Sequence, residues 1–85
     1  MNFSEALALI KKGVKLQRKA WPQDVFIFLV PGSKFEVNRS PLNLIFKPGT
    51  EVKYSPHIDI CMGINVSVWT IQMTDILAED WDIHG

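Results

Sequence analysis

The chain has 85 residues, with nine Lys and Arg, nine Asp and Glu, and one Cys. This length allows one domain over residues 1–85, and the single cysteine excludes an internal disulfide. The balanced charge excludes a general nucleic-acid binder, which is strongly basic. No apolar run approaches the roughly 20 residues of a membrane span, and no signal-peptide pattern is present. We therefore expect a cytoplasmic protein with neither nucleic acid nor membrane as partner.

The distribution of charge and apolar residues indicates self-association. All nine basic residues lie in residues 1–55, whereas residues 56–85 contain five acids and no Lys or Arg. The two parts either attract each other within or between subunits, or each solvates its own face. Because 47% of the residues are hydrophobic and a chain this short has a thin core, we expect an oligomer that buries the surplus.

The N-terminal part predicts one helix followed by strands. Apolar residues at helical spacing predict an amphipathic helix over residues 4–12, with Ser4 as N-cap and Gly13 as the left-handed stop. Alternation over residues 14–20 predicts a strand with a polar face, and the run VFIFLV over residues 25–30 predicts a buried strand.

The second half predicts more strands and one helical turn. Further short strands are predicted over residues 35–37, 51–54, 57–62, 66–71 and 81–83. Residues 63–65 form the turn of a hairpin, and residues 38–50 form a loop or irregular strand that packs its hydrophobes, with a subunit contact as one option. Thr74 caps a helical turn over residues 75–79. The predicted class is α+β: a small antiparallel β-sheet with an N-terminal amphipathic helix and a short C-terminal helical turn.

No pattern in the sequence predicts catalysis, a metal or a cofactor. Cys61 lies mid-strand, where a free cysteine is typically a small core residue, and His57 lies at a predicted strand start after Ser-Pro. Together with His84 they have no zinc-ligand spacing. The glycines stand alone at turns, so no phosphate loop is present. We expect a binding protein rather than an enzyme.

The three tryptophans favour binding. Trp21 follows the basic pair Arg18 and Lys19, while Trp69 and Trp81 lie near polar or acidic residues. An indole can stack on a base, a cation can pair with phosphate, and a carboxylate can hold ribose hydroxyls. The alternative is that each tryptophan packs in the core or at a subunit contact.

Three segments of the chain carry a more specific pattern. They are Phe3-x-Glu5-Ala6-Leu7-x-x-Ile10-Lys11-x-Gly13-x-Lys15-x-x-Arg18-x-x-Trp21, Pro56-x-Ile58, and Trp69-x-x-x-x-x-Asp75-Ile76-Leu77-Ala78-x-Asp80-Trp81. In content and separation these segments resemble the phage and prophage Thoeris anti-defence 2 family over nearly the whole chain.

This resemblance implies a non-enzymatic sponge in the cytoplasm of the infected bacterial host. Family members bind, without degrading it, a cyclic ADP-ribose isomer that a Toll/interleukin-receptor-type enzyme makes, and so block Thoeris immunity. The resemblance also implies a homotetramer with ligand pockets between subunits, and in some members separate sites for cyclic di- or trinucleotides.

The resemblance also directs attention to particular residues. Trp21 and Trp69 are expected to stack on bases, and Asp75 to bind ribose hydroxyls or an adenine amine. Arg18 is the candidate for pyrophosphate on charge grounds, and Thr74 completes the expected ligand-binding set. Trp81 is expected to anchor the C-terminus on the sheet.

The sequence departs from the family pattern at Ile71-Gln72-Met73, where members commonly have Pro-Ser-Gln. Loss of a proline and a small hydroxyl changes the shape and hydrogen bonds of this loop. The competing interpretation of the whole chain is a non-catalytic phage structural or protein-interaction module whose tryptophans form subunit contacts. An enzyme acting on nucleotides would need an acid–base pair that the sequence does not offer.

Overall fold

The computed structural model describes residues 1–85. It confirms the predicted α+β class, with a five-stranded antiparallel sheet, a separate two-stranded sheet and two short helices. In chain order the elements are α1 (Phe3–Ile10), β1 (Leu16–Arg18), β2 (Val25–Val30), β3 (Ser33–Glu36), β4 (Glu51–Tyr54), β5 (His57–Met62), β6 (Asn65–Val68), α2 (Met73–Leu77) and β7 (Trp81–Ile83).

Helix α1 begins earlier than predicted, because the N-cap is Asn2 and not Ser4. The extended backbone of Asn2 lets its Oδ1 accept the Glu5 N–H at 2.9 Å, and Glu5 Oε1 accepts the Asn2 N–H at 3.1 Å. This reciprocal pair satisfies two amides of the first turn and leaves Ser4 inside the helix. Gly13 has φ +91°, which confirms the predicted left-handed stop.

The main sheet has strand order β6-β5-β2-β1-β7, and every neighbouring pair is antiparallel. Strand β2 has the predicted bounds and lies at the centre, as its apolar run requires. Strands β1 and β6 are shorter than predicted. A turn in which Trp21 N–H donates to the Arg18 carbonyl follows β1, and the chain leaves β6 towards α2 just beyond Trp69.

The predicted hairpin between β5 and β6 is confirmed, with Met62 opposite Asn65. Its loop is the pair Gly63-Ile64, because Asn65 already belongs to β6. Gly63 has φ +65° while no residue other than glycine has positive φ. A glycine at the first of two loop positions is the requirement of a type II′ turn.

Strands β3 and β4 form an arm apart from the main sheet, defined here as residues 33–54. Between them, the segment predicted as a loop or irregular strand is a loop with a short 3-10 helix over Leu42–Leu44. Two of its hydrophobic residues do not pack as predicted, since Leu44 and Ile45 are 82% and 71% exposed, whereas Leu42 is partly buried. The loop is instead tethered by its ends, where Val37 is buried and exchanges backbone hydrogen bonds with Gly49 and Thr50.

The C-terminal helical turn also begins earlier than predicted. Helix α2 spans Met73–Leu77, so Thr74 lies within its first turn and is not the cap. Gln72 occupies the cap position, and its N–H donates to Asp75 Oδ2 at 3.1 Å. Neither α1 nor α2 has the length and apolar character needed to cross a bilayer.

The core lies between α1 and one face of the sheet. Only seven of the 85 residues are buried, so each core side chain carries a large share of the stability. Trp81 is the largest of them, and it packs with Ala6, Ile10, Leu16 and Ile27. Its Nε1 donates to the Asp75 carbonyl oxygen at 2.9 Å, which ties β7 to α2.

We expect Trp81→Phe to lower the free energy of unfolding by about 1–3 kcal/mol. The ring remains large and apolar, but the buried Asp75 carbonyl loses its donor. Chemical denaturation followed by circular dichroism measures this change. Tyr54→Phe, on the exposed arm, is the control and shifts stability by less than about 0.5 kcal/mol. Equal effects of the two substitutions would contradict the role of the Trp81 hydrogen bond.

Candidate functional site

Three of the predicted site residues, Trp21, Trp69 and Asp75, line one open cavity of about 540 Å³. Trp21 follows β1, Trp69 follows β6, and Asp75 lies in α2, so the cavity forms where these segments meet above β2 and β5. The remaining lining residues are Pro22, Val25, Ile60, Met62, Val68, Thr70 and Gln72. Mostly apolar walls with a few convergent polar groups are typical of small-molecule sites.

The indoles at this cavity belong to an aromatic cluster centred on Trp81. Trp21 and Trp69 each meet Trp81 edge to face, at centroid distances of 5.3 and 5.9 Å. Trp21 and Trp69 themselves are 6.5 Å apart at 75°. Sandwiching a base would need parallel planes separated by ~7 Å, twice a carbon contact distance. A base can therefore stack on the free face of one indole but cannot be inserted between the two.

Asp75 is the buried acid of the molecule, at 8% exposure. Its Oδ1 accepts from Arg18 Nη1 and its Oδ2 from the Gln72 N–H, each at 3.1 Å. These bonds engage both carboxylate oxygens and fix the orientation of the group. Because each carboxylate oxygen accepts more than one hydrogen bond, Asp75 retains capacity for a hydroxyl or amine donor in the cavity.

Arg18 bridges two carboxylates beside the cavity. Its Nε donates to Asp80 Oδ1 at 2.8 Å, in addition to the bond from Nη1 to Asp75. The hydrogen bond from Arg18 holds the pKa of the Asp80 carboxyl below its ordinary value, and the same bond to Asp80 raises the pKa of Arg18. The bridge connects β1 to α2 and to the segment before β7.

The structure thus brings some of the predicted residues together and separates others. Arg18 lies next to Asp75 but does not line the cavity, and its guanidinium is engaged by the two acids. Thr74 is exposed and does not line the cavity either. The ligand contacts assigned to Arg18 and Thr74 stay predictions.

Two polar lining residues, Thr70 and Gln72, were missed as candidates. Both lie inside the Trp69–Asp75 segment, which connects a strand to a helix. Polar residues in this connection were the signal that could have identified them. The three residues that depart from the family pattern lie in different surroundings. Gln72 lines this cavity, Ile71 lines a different cavity, and Met73 is 68% exposed.

That different cavity has a volume of about 600 Å³ and is almost entirely apolar. It lies between α1 and the β5–β6 side of the sheet, and Trp69 forms a wall of both cavities. Although it is the larger, it lacks an arrangement of polar groups such as Asp75, Gln72 and Thr70 provide in the smaller one. Specific recognition of a polar ligand therefore favours the smaller cavity.

The other candidates for chemistry, His57 and Cys61, do not line the smaller cavity. His57 is exposed at the start of β5, with Nε2 3.2 Å from Asp59 Oδ1. Cys61 is partly buried in β5, and its thiol donates to the Gly63 carbonyl at 3.2 Å. No group of three His, Cys, Asp or Glu side chains converges at a distance that would hold a metal ion.

Comparison with known proteins gives a consistent result over the whole chain. The Thoeris anti-defense 2-like domain matches residues 1–84. The chain is also similar to the protein named Thoeris anti-defense 2 of Bacillus phage SP01, with 30% identity over 95 aligned positions that cover 98% of this chain and 93% of the phage protein.

We expect the Arg18–Asp80 ion pair to make the stability of the fold depend on pH in the acidic range. Because the pKa of Asp80 is lowered in the folded state, the pair contributes above the ordinary aspartate pKa of 3.8 and is lost as pH falls through the lower folded value. Asp80→Asn should be less stable than the parent by about 1 kcal/mol at neutral pH, since the pair is partly exposed.

Urea denaturation from neutral pH to below 3.8 measures the stability difference between Asp80→Asn and the parent, which should shrink as pH falls. Asp24→Asn is the control, because the exposed Asp24 carboxylate accepts no hydrogen bond and its removal should leave the profile unchanged. A difference for Asp80→Asn that stays constant across this range would contradict the role of the ion pair.

Proposed function

Because this chain belongs to the Thoeris anti-defense 2-like family, we propose that it binds and sequesters a cyclic ADP-ribose-isomer signal without degrading it. Its role is phage anti-defence, and the proposed place of action is the cytoplasm of the infected bacterium. Removal of the signal would keep the Thoeris effector inactive. The observation that carries the proposal is the convergence of Trp21, Trp69 and Asp75 on one cavity.

The geometry of the cavity supports a specific binding mode. Its volume of about 540 Å³ lies within the range of small-molecule sites. We propose that the adenine stacks on the free face of Trp21 or Trp69, and that Asp75 accepts a hydrogen bond from a ribose hydroxyl or the adenine amine. Gln72 and Thr70 supply further donors and acceptors on the same wall.

Arg18 takes a positioning role in this proposal. Its guanidinium holds the Asp75 carboxylate in place by the 3.1 Å bond from Nη1, so its effect on affinity passes through Asp75. The cavity lining contains no Lys or Arg. The pyrophosphate is therefore placed at the open side of the cavity, where it meets solvent or a neighbouring subunit.

Binding without turnover is supported by the side chains that face the cavity. Asp75 is the one titratable group in the lining, and two internal hydrogen bonds orient it. General acid–base catalysis or nucleophilic attack needs a second positioned group beside it.

A homotetramer, with additional sites for cyclic di- or trinucleotides, is part of the same proposal. The thin core and the exposed large hydrophobic side chains support self-association. The alternative, a protein-interaction module whose tryptophans form subunit contacts, is favoured by one observation: Trp69 also lines the apolar cavity.

Isothermal calorimetry with cyclic ADP-ribose isomers tests the proposed ligand. Loss of one stacked base contact corresponds to about 1–3 kcal/mol, so Trp21→Ala should weaken binding roughly 5- to 150-fold. Asp75→Asn, which keeps the size of the side chain, should weaken it by about tenfold. Tyr54→Ala is the aromatic control outside the cavity and should leave affinity unchanged.

Several outcomes would count against the ligand assignment. A folded, associated protein that binds none of these isomers at micromolar concentration would overturn it. Loss of the oligomer by Trp21→Ala, with no nucleotide co-purifying, would favour the protein-interaction alternative.

Recovery of the ligand separates a sponge from an enzyme. After incubation with the protein and heat denaturation, we expect mass spectrometry to return the cyclic isomer intact and in the amount bound. A linear or hydrolysed product that accumulates with time would show turnover.

A further inference from the structure

The polar side chains that line the smaller cavity offer different hydrogen-bonding groups to a ligand. They are those of Thr70, Gln72 and Asp75. An ionised carboxylate only accepts hydrogen bonds, and a hydroxyl donates and accepts through one atom. The carboxamide of Gln72 carries a donor nitrogen and an acceptor oxygen side by side, so it can contact two neighbouring groups on the edge of a flat ring.

The backbone of Gln72 is fixed, whereas its carboxamide remains available. Its N–H donates to Asp75 Oδ2 at 3.1 Å, and its carbonyl oxygen accepts from the N–H groups of Asp75 and Ile76 at 3.0 and 3.2 Å. The side chain makes no capping hydrogen bond to α2, and the residue is exposed. The backbone bonds therefore keep Gln72 beside Asp75 without engaging the carboxamide.

We propose that Gln72 selects adenine as the base of the ligand. In this mode, which rests on the proposed function, the base stacks on Trp21 or Trp69 and turns its edge toward the segment that precedes α2. The Gln72 Oε1 accepts from the exocyclic amine, and Nε2 donates to N7. A glutamine carboxamide pairs with adenine in this two-bond manner because the spacing of its two groups matches that edge.

The same assignment gives Asp75 a single role. Its carboxylate is buried at 8% exposure, and its oxygens already accept from Arg18 and from the Gln72 N–H. A carboxylate held in this way can accept from one more hydroxyl but has no donor for N7 of the base. Asp75 therefore binds a ribose hydroxyl, and Gln72 reads the base.

A purine with an oxygen at C6 does not fit this carboxamide. Hypoxanthine and guanine present two acceptors, O6 and N7, on the edge where adenine presents a donor and an acceptor. One of these acceptors then faces the Gln72 Oε1, and neither oxygen of that pair has a donor. A site arranged to pair with a donor discriminates against an analogue that lacks it.

Calorimetry with a cyclic ADP-ribose isomer and its hypoxanthine counterpart tests the base selection. We expect the parent to bind the adenine probe about tenfold or more tightly. Gln72→Met keeps the length of the side chain and the backbone hydrogen bonds. It should weaken the adenine probe roughly tenfold and bring the two affinities within about twofold of each other. Gln72→Arg supplies two donors, so it should invert the preference toward the hypoxanthine probe.

Two further substitutions serve as controls for the ratio of the two affinities. Asp75→Asn should weaken both probes alike, because the ribose is common to them. Thr70→Val, on the same wall of the cavity, should leave the ratio unchanged. Circular dichroism reports whether each variant is folded, and the ratio itself is insensitive to a loss of folded protein.

The outcomes separate this inference from the function on which it rests. Equal binding of the two probes by the parent, or an adenine preference that survives in Gln72→Met or Gln72→Arg, would overturn the role of Gln72 and leave the proposed function standing. Loss of the preference in Asp75→Asn alone would transfer the base selection to Asp75 and also overturn that role. A parent protein that binds neither probe would refute the proposed function, and the inference with it.

Discussion

The Trp81 indole and its hydrogen bond to the Asp75 carbonyl are the interaction on which the rest of the structure depends. This indole fills the centre of a small core, contacts both cavity tryptophans, and holds the last strand against α2. The Arg18 bridge to Asp75 and Asp80 reinforces the same junction from β1. In a chain with so few buried residues, the same contacts therefore stabilise the core and position the cavity residues, and a substitution that weakens the core also affects the cavity.

This sharing explains how a short α2 can carry a recognition group. A five-residue helix has little intrinsic stability, since helices of this length are marginal in water. Asp75 is nevertheless fixed on both carboxylate oxygens and on its carbonyl. The site is thus preorganised by contacts from distant parts of the chain, which lowers the ordering cost when a ligand binds.

The exposed apolar surfaces are the other consequence of the thin core. One lies on α2, and another at the tip of the arm. Surfaces of this kind on a small protein mark places of association.

The sequence by itself determined the fold class, the bounds of β2, the glycine stop after α1 and the hairpin that turns at Gly63, because these depend on local periodicity and on backbone conformations that few residues adopt. It also determined the family, through segments at both ends of the chain. Only the tertiary structure decided that Arg18 faces two acids instead of the cavity, and that Thr70 and Gln72 join the lining. These outcomes depend on which strands become neighbours, and β1 lies beside β7 although about sixty residues separate them in the sequence. Local spacing carries no record of such a pairing, so only the fold decides which other residues complete the site around Trp21, Trp69 and Asp75.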